Sequence, residues 1–245
     1  MSTSQDEVRN RLLKALPAEL FTVIASQLEP VDLPLRFVLV EPDVPTADVV
    51  FIERGLGSVV ATSPDHEVVE VGHLGFEGMS AAHVMLRTRR TPNKTFMQVA
   101  GSGLKLSADA LERFVQEHPP AADLFLRYVQ SCDLQLAHSA LANARYNMPE
   151  RLARWVLMCH DRLRQPDLPL THEFLSLMLG VRRSGVTDQL HVIEGLGIIK
   201  ATRGNIRILY RSRLEELAGG CYGIPERQYE RLVGNPASDR ARPGR

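Results

Sequence analysis

A chain of 245 residues with 44% apolar and 24% charged content is an ordinary globular sequence, long enough for one large domain or two modest ones. No apolar run approaches the ~20 residues of a membrane span, and the acid-bearing start MSTSQDEVRNRLLKAL does not read as a signal peptide, so a cytoplasmic protein without membrane contact is expected. Lys+Arg and Asp+Glu balance at 29 each, yet residues 150–245 hold 16 basic against 11 acidic residues, leaving 13 against 18 in the first 149; only the back half suits a polyanion.

Residues 6–29 show helical spacing (Val8, Leu12, Leu16, then Leu20, Ile24, Leu28) broken by Pro17. From Val31 to Leu106 short β-rich runs (FVLV, DVVFI, GSVVAT, EVVEVGHL, TFMQVA, LKL) alternate with Gly, Pro and Asp, the texture of a β-roll or sandwich. Gly55 and Gly57 are expected to frame a tight turn between strands. Ser107 is placed to cap a helix through ADALERFVQEH, which Pro119 and Pro120 end.

A longer helix is expected from about 120 to 146. In it Phe125, Val129, Cys132, Leu136, Ser139 and Asn143 are spaced 4-3-4-3-4, the seam of a coiled coil. Leu124, Leu134 and Leu141 lie on the opposite face, which assigns one side to the β-roll and the other to a partner helix, and so a homodimer. Asn143 either sets the register of that pair or marks where the contact stops. The three cysteines, Cys132, Cys159 and Cys221, are too scattered for a disulfide framework or a zinc site.

The basic half opens with an amphipathic helix over 149–164, ended by Pro166 and Pro169. THEFLSLMLG and VRRSGVTDQLHVIEGLG follow, two helical patterns joined at Gly180, where the turn needs a permissive backbone. Thr171 caps the first; Val186, Leu190 and Ile193 line the buried face of the second. IIKA and IRILY flank TRGN as a β-hairpin turning at Gly204, and Ser212 with Glu215 spells a capping box for a last helix. Helix, tight turn, helix and hairpin describe a winged helix-turn-helix. Its outer side carries Arg182, Arg183, Ser184, Thr187, Asp188 and His191.

At these residues the chain resembles the Crp/Fnr family of bacterial transcription regulators, with most of the likeness in the stretch from Leu170 to Tyr210. The resemblance implies an α+β protein: an N-terminal, jelly-roll-like β-roll sensor domain (1–118), a dimerisation helix (119–147) and a C-terminal winged helix-turn-helix (148–222); the remaining 223–245, ending in GNPASDRARPGR without large apolar residues, is expected to be a disordered tail. It implies a dimer on double-stranded DNA, one recognition helix (about 182–194) in each major-groove half-site, and RNA polymerase as a further partner. Thr171 and Glu173 fall near the DNA backbone, while Arg183, Ser184, Thr187 and Asp188 fall on base-reading positions. Well-known members carry Glu, then Ser or Gly, then Arg where this chain has Ser184, Thr187 and Asp188, so a different operator is expected. Asp188 can accept from cytosine N4 and Arg183 can fork onto guanine. Arg182 is a phosphate anchor or a solvated residue.

In nucleotide-binding members the roll's phosphate cassette follows Gly-Glu and ends in Arg-Ser or Arg-Thr. Here Gly78 keeps the glycine, but Met79 replaces the glutamate, and Lys94 and Thr95 stand for the last pair. Methionine is at best a weak acceptor and lysine lacks the guanidinium fork. Glu77 substitutes only if the strand shifts register, which turns its side chain to the other face. Cyclic AMP is therefore not expected to bind and no cofactor is expected; another ligand or none fits better. Haem through His66, His73 or His83 is disfavoured, because lone histidines in strands ordinarily serve structure.

The competing reading is a cyclic-nucleotide-type receptor module that regulates a protein partner without binding DNA. An enzyme is not expected: GxxxxGK[ST], GxSxG and HExxH are all missing.

Overall fold

A computed structural model describes residues 4–234, without the side chain of Arg183. Two short helices open the chain, α1 (Arg11–Lys14) and α2 (Ala18–Ala25), separated at Pro17. Asn10 caps α1 by accepting from Leu13 N, and its amide donates to Ile52 O (2.8 Å) and Gly78 O (2.7 Å), which fastens the N-terminus to the roll.

The roll is an antiparallel sheet of β1 (Glu29–Leu33), β2 (Val38–Val40), β3 (Asp48–Thr62), β4 (Val68–Leu74) and β5 (Lys94–Ser107), in the order β1-β5-β3-β4 with β2 also on β5. Several expected short strands merge into the long pair β3 and β5. Gly55 and Gly57 accordingly lie inside β3 and frame no turn. The register slips between Ile52 and Gly57, and Gly55 sits at φ +93°, where a Cβ would come within 2.6 Å of Val99 O. Such slips bend and twist a strand pair. At the bend Leu56 and Val99 leave the roll's core and pack with the C-terminal helices.

Ser107 accepts from Ala110 N and starts α3 (Ala108–Glu117); α4 (Pro119–Arg145) follows without a gap beyond His118. Its inner face is Phe125, Tyr128, Cys132, Gln135, Ser139 and Ala142. Phe125 is buried in the roll's core, Cys132 packs against that core, and Ser139 accepts from Arg154 (3.2 Å). Those three expected seam residues therefore belong to the chain's own packing. Val129 is half-buried, while Leu126, Leu136 and Asn143 are exposed. The outward stripe is thus Leu126, Asp133, Leu136, Ala140 and Asn143, with Val129 at its edge, half-buried against the roll's core. The 3-4 spacing fits both stripes, and the roll covers the inner one.

The C-terminal part comprises α5 (Met148–Leu163), β6 (Asp167–Leu168), α6 (His172–Leu179), α7 (Arg183–Gly195), β7 (Ile199–Thr202), β8 (Asn205–Ile208) and α8 (Arg211–Ala218), around a core of its own. Asn147 and Glu150 cap α5 reciprocally. The Ser212–Glu215 box does not form: α8 starts after Tyr210, and Glu215 accepts from Arg211 instead (2.8 Å).

The expected disordered tail is corrected over 224–234. There α9 (Ile224–Tyr229) and a wider turn, Glu230–Gly234, return to the roll. Tyr229, Leu232 and Val233 join the N-terminal core; Tyr229 donates to Glu77 O (2.6 Å), Arg127 to Leu232 O (2.8 Å), and Arg11 forks onto Glu230. Three apolar side chains and these bonds hold this segment on the roll; the rest of the expected tail, 235–245, lies outside the described residues. Among the described residues no helix is long and apolar enough to cross a membrane.

Candidate nucleic-acid interface

The helix pair is built as its sequence dictates. Thr171 accepts from Phe174 N (3.2 Å) at the start of α6, and Gly180, at φ +62°, ends that helix in the left-handed conformation glycine favours. The next helix, α7, buries Val186, Leu190 and Ile193. The 3.6-residue period then turns Ser184, Asp188 and His191 outward, and all three are exposed, as is Arg182 just before the helix. Arg183 begins the same helix. Thr187 is only half-buried into this surface, with its hydroxyl 3.0 Å from His172 Nδ1.

The wing pairs β7 with β8 across Gly204 (φ +75°), and β6 adds a third strand. Between the start of α6, the outer side of α7 and the wing runs a groove of about 700 Å³, with Thr171, His191 and Arg203 among its lining residues. Arg203, at the wing tip and exposed, was not singled out from the sequence; its place in a Gly-turned hairpin was the available signal. Two acids of the groove already have partners. Glu194 accepts from Ala201 N (3.1 Å), and Glu173 pairs with Arg36 of the roll (3.3 Å). The sequence placed Glu173 near DNA but gave no sign of its distant partner.

The four residues aligned with a nucleotide cassette are held by different partners. Gly78 lies against Tyr128, where a Cβ would sit 2.2 Å from the phenol oxygen. Met79 is buried in the core, and its backbone N–H and C=O both bond the Tyr128 hydroxyl (3.2 and 3.0 Å). Lys94 reaches toward Glu41 at 3.5 Å, and Thr95 is buried on β5 opposite Val59.

Beside this region, between β4 and α5, lies a buried polar group. Trp155 Nε1 donates to Glu70 Oε1 (3.0 Å), and His73 Nε2 lies 3.4 Å from the same oxygen. Burial pushes Glu70 up to about 8 and holds His73 well below its ordinary value. Burial thus favours the neutral form of both groups.

Comparison with known proteins agrees with this geometry. Residues 150–217 match the Crp-like helix-turn-helix domain family. No curated protein matches the sequence. Among solved structures, a regulator assigned to the Crp/Fnr family from Eubacterium rectale is 17% identical, with a TM-score of 0.66 over 84% of this chain and 97% of its own. FixK2 from Bradyrhizobium japonicum is 14% identical, with a TM-score of 0.68 over 79% and 98%. The c-di-GMP responsive regulator CLP of Xanthomonas campestris is 14% identical, with a TM-score of 0.64 over 79% and 99%. Residues 150–217 thus match a Crp-like helix-turn-helix domain, and the chain shares its fold with solved Crp/Fnr-type regulators.

Proposed function

We propose that the protein regulates transcription as a homodimer that reads a two-fold-related operator, with α7 of each chain in one major-groove half-site. The observation that carries this reading is the outer side of α7: Ser184, Asp188 and His191 are exposed on a helix whose other face is buried, within a domain matched to Crp-like helix-turn-helices. In this arrangement Arg183, Ser184, Thr187 and Asp188 face base edges; Arg182, the Thr171 cap and Arg203 of the wing meet phosphates; His191 borders the groove. Dimerisation runs along the outward stripe of α4. RNA polymerase as a further partner rests on the family resemblance alone. We place cyclic AMP outside the ligands, supported by the burial of Met79 and the bonds from its backbone to Tyr128.

The test is selection of bound duplexes from a random pool. The expected product is one motif with dyad symmetry and half-site centres about 10–10.5 bp apart. Enrichment of no motif, or of one without symmetry, contradicts the proposal and favours a receptor module acting on a protein.

A further inference from the structure

A cavity beside the roll lies behind the cassette residues, on the far side of Tyr128. It measures about 640 Å³, and its walls come from the end of β4 and the loop after it (Phe76, Glu77), from α4 (Tyr128, Cys132), from the end of α5 and from α9. Gly78, Met79, Lys94 and Thr95 are not among its lining residues. We propose that this cavity binds a small aromatic monocarboxylate.

The size falls within the range of small-molecule sites, roughly 300–1,000 Å³. Phe76, Tyr128, Tyr229, Pro166 and Pro225 give it flat apolar surface for a ring. The charges choose the head group. Three lining arginines are already paired: Arg162 with Glu77 (2.7 Å), Arg211 with Asp161 (2.8 Å) and Arg11 with Glu230 (2.6 Å). The fourth lining acid, Glu226, accepts from Gly223 N (3.0 Å) at the start of α9. Arg164 and Arg227 form no salt bridge among the described residues, although Arg164 is near enough to help lower the Glu230 pKa, and both are exposed at the rim. Five arginines against four acids leave one net positive charge, since burial disfavours the charged forms of His73 and His160. One surplus charge suits a monoanion better than a phosphate dianion.

Arg164 is also built into place. It ends α5 at φ +52°, a left-handed conformation ordinarily left to glycine. That turn lays its guanidinium over the Phe76 ring, 4.3 Å from the centroid. A guanidinium stacked on a ring keeps its in-plane N–H groups free to fork onto a carboxylate. The adjoining wall holds further fixed polarity: Glu77 Oε2 and His73 Nδ1 are buried without a hydrogen-bond partner among the described residues. Because the walls come from both halves of the chain, an occupant touches the roll and the DNA-binding part at once.

The proposal concerns binding to the free protein and does not rest on DNA recognition. The test is calorimetry of the full chain with benzoate, indole-3-acetate and adenosine 5′-monophosphate, each up to about 10 mM. We expect one site per chain for at least one of the two carboxylates, at or below about 1 mM. Arg164→Gln and Arg227→Gln, both rim substitutions that leave the core intact, should each weaken it roughly 10- to 100-fold. Saturable binding of neither carboxylate overturns the proposal, as does tighter binding of the nucleotide, or carboxylate binding that both substitutions leave unchanged.

Discussion

The outer side of α7 and the cassette stretch from Gly78 to Thr95 are both places where a family's chemistry ought to reside, and they behave differently. On α7 one helix carries Ser184, Asp188 and His191, and a buried face of Val186, Leu190 and Ile193 leaves these three exposed. In the cassette stretch the same kind of alignment puts Met79 in the core and fastens it to Tyr128, 49 positions along the chain. A site carried by one helix keeps its geometry as long as the helix keeps its period. A site that needs convergence changes character when a single distant residue fills it.

The sharpest way to break this comparison is to remove the second copy of α7. Leu136→Glu places a charge on the outward stripe of α4 in both chains. Burial of a leucine contributes about 1.5–3 kcal/mol and is lost twice in a symmetric pair, so the dimer should weaken by roughly 10²- to 10⁴-fold. Sedimentation should then show monomers; a dimer that survives contradicts the stripe. Phe125→Glu, on the inner face, should instead unfold the roll.

The cassette side is tested by cyclic AMP itself. Loss of the glutamate and arginine contacts, each worth about 1.5–3 kcal/mol, predicts affinity some two to four decades weaker than a complete cassette would give. Calorimetry returning a micromolar or tighter constant would show that Met79 and Lys94 do not govern the site.

Between the two regions lies Glu70, whose carboxyl is held up to about 8 by burial. A folded value raised above the unfolded one stabilises fully below the unfolded pKa, near 4.5, and that stabilisation is lost as pH rises through about 8. His73 acts in the opposite sense: its lowered value makes stability fall as pH drops below about 6.5. Glu70→Gln can still accept from Trp155 but cannot ionise. It should remove roughly 2–5 kcal/mol of the stability lost between about pH 5 and pH 9. Equal pH slopes for both proteins in urea titrations would contradict the burial account.

Local order was well legible in the sequence. Ser107, Thr171, Gly180 and Gly204 each do what their chemistry dictates, because caps and turns depend on residues three or four positions away. What was misread depends on distance. The stripe of α4 could not be chosen without knowing where the roll sits, and the closeness of Val99 O, which leaves no room for a Cβ at Gly55, is a contact across the sheet. Tyr229, Leu232 and Val233 were passed over because a polar terminus beyond them dominated the composition. The pairing of Glu173 with Arg36 and the cavity between the two halves join residues far apart in the chain, and periodicity carries no trace of them.

The claim that α7 reads sequence is tested most directly by comparing wild type and Arg183→Ala on the selected operator and on a scrambled duplex across a salt series. A base-reading arginine predicts a cost of about 1–3 kcal/mol on the operator, relaxed preference at one base pair per half-site, and little change on the scrambled duplex. Arg182→Ala serves as the control, weakening both duplexes alike and lowering the salt slope by about one unit per contact. Equal losses on both duplexes for Arg183→Ala would contradict the account and make that arginine a phosphate anchor.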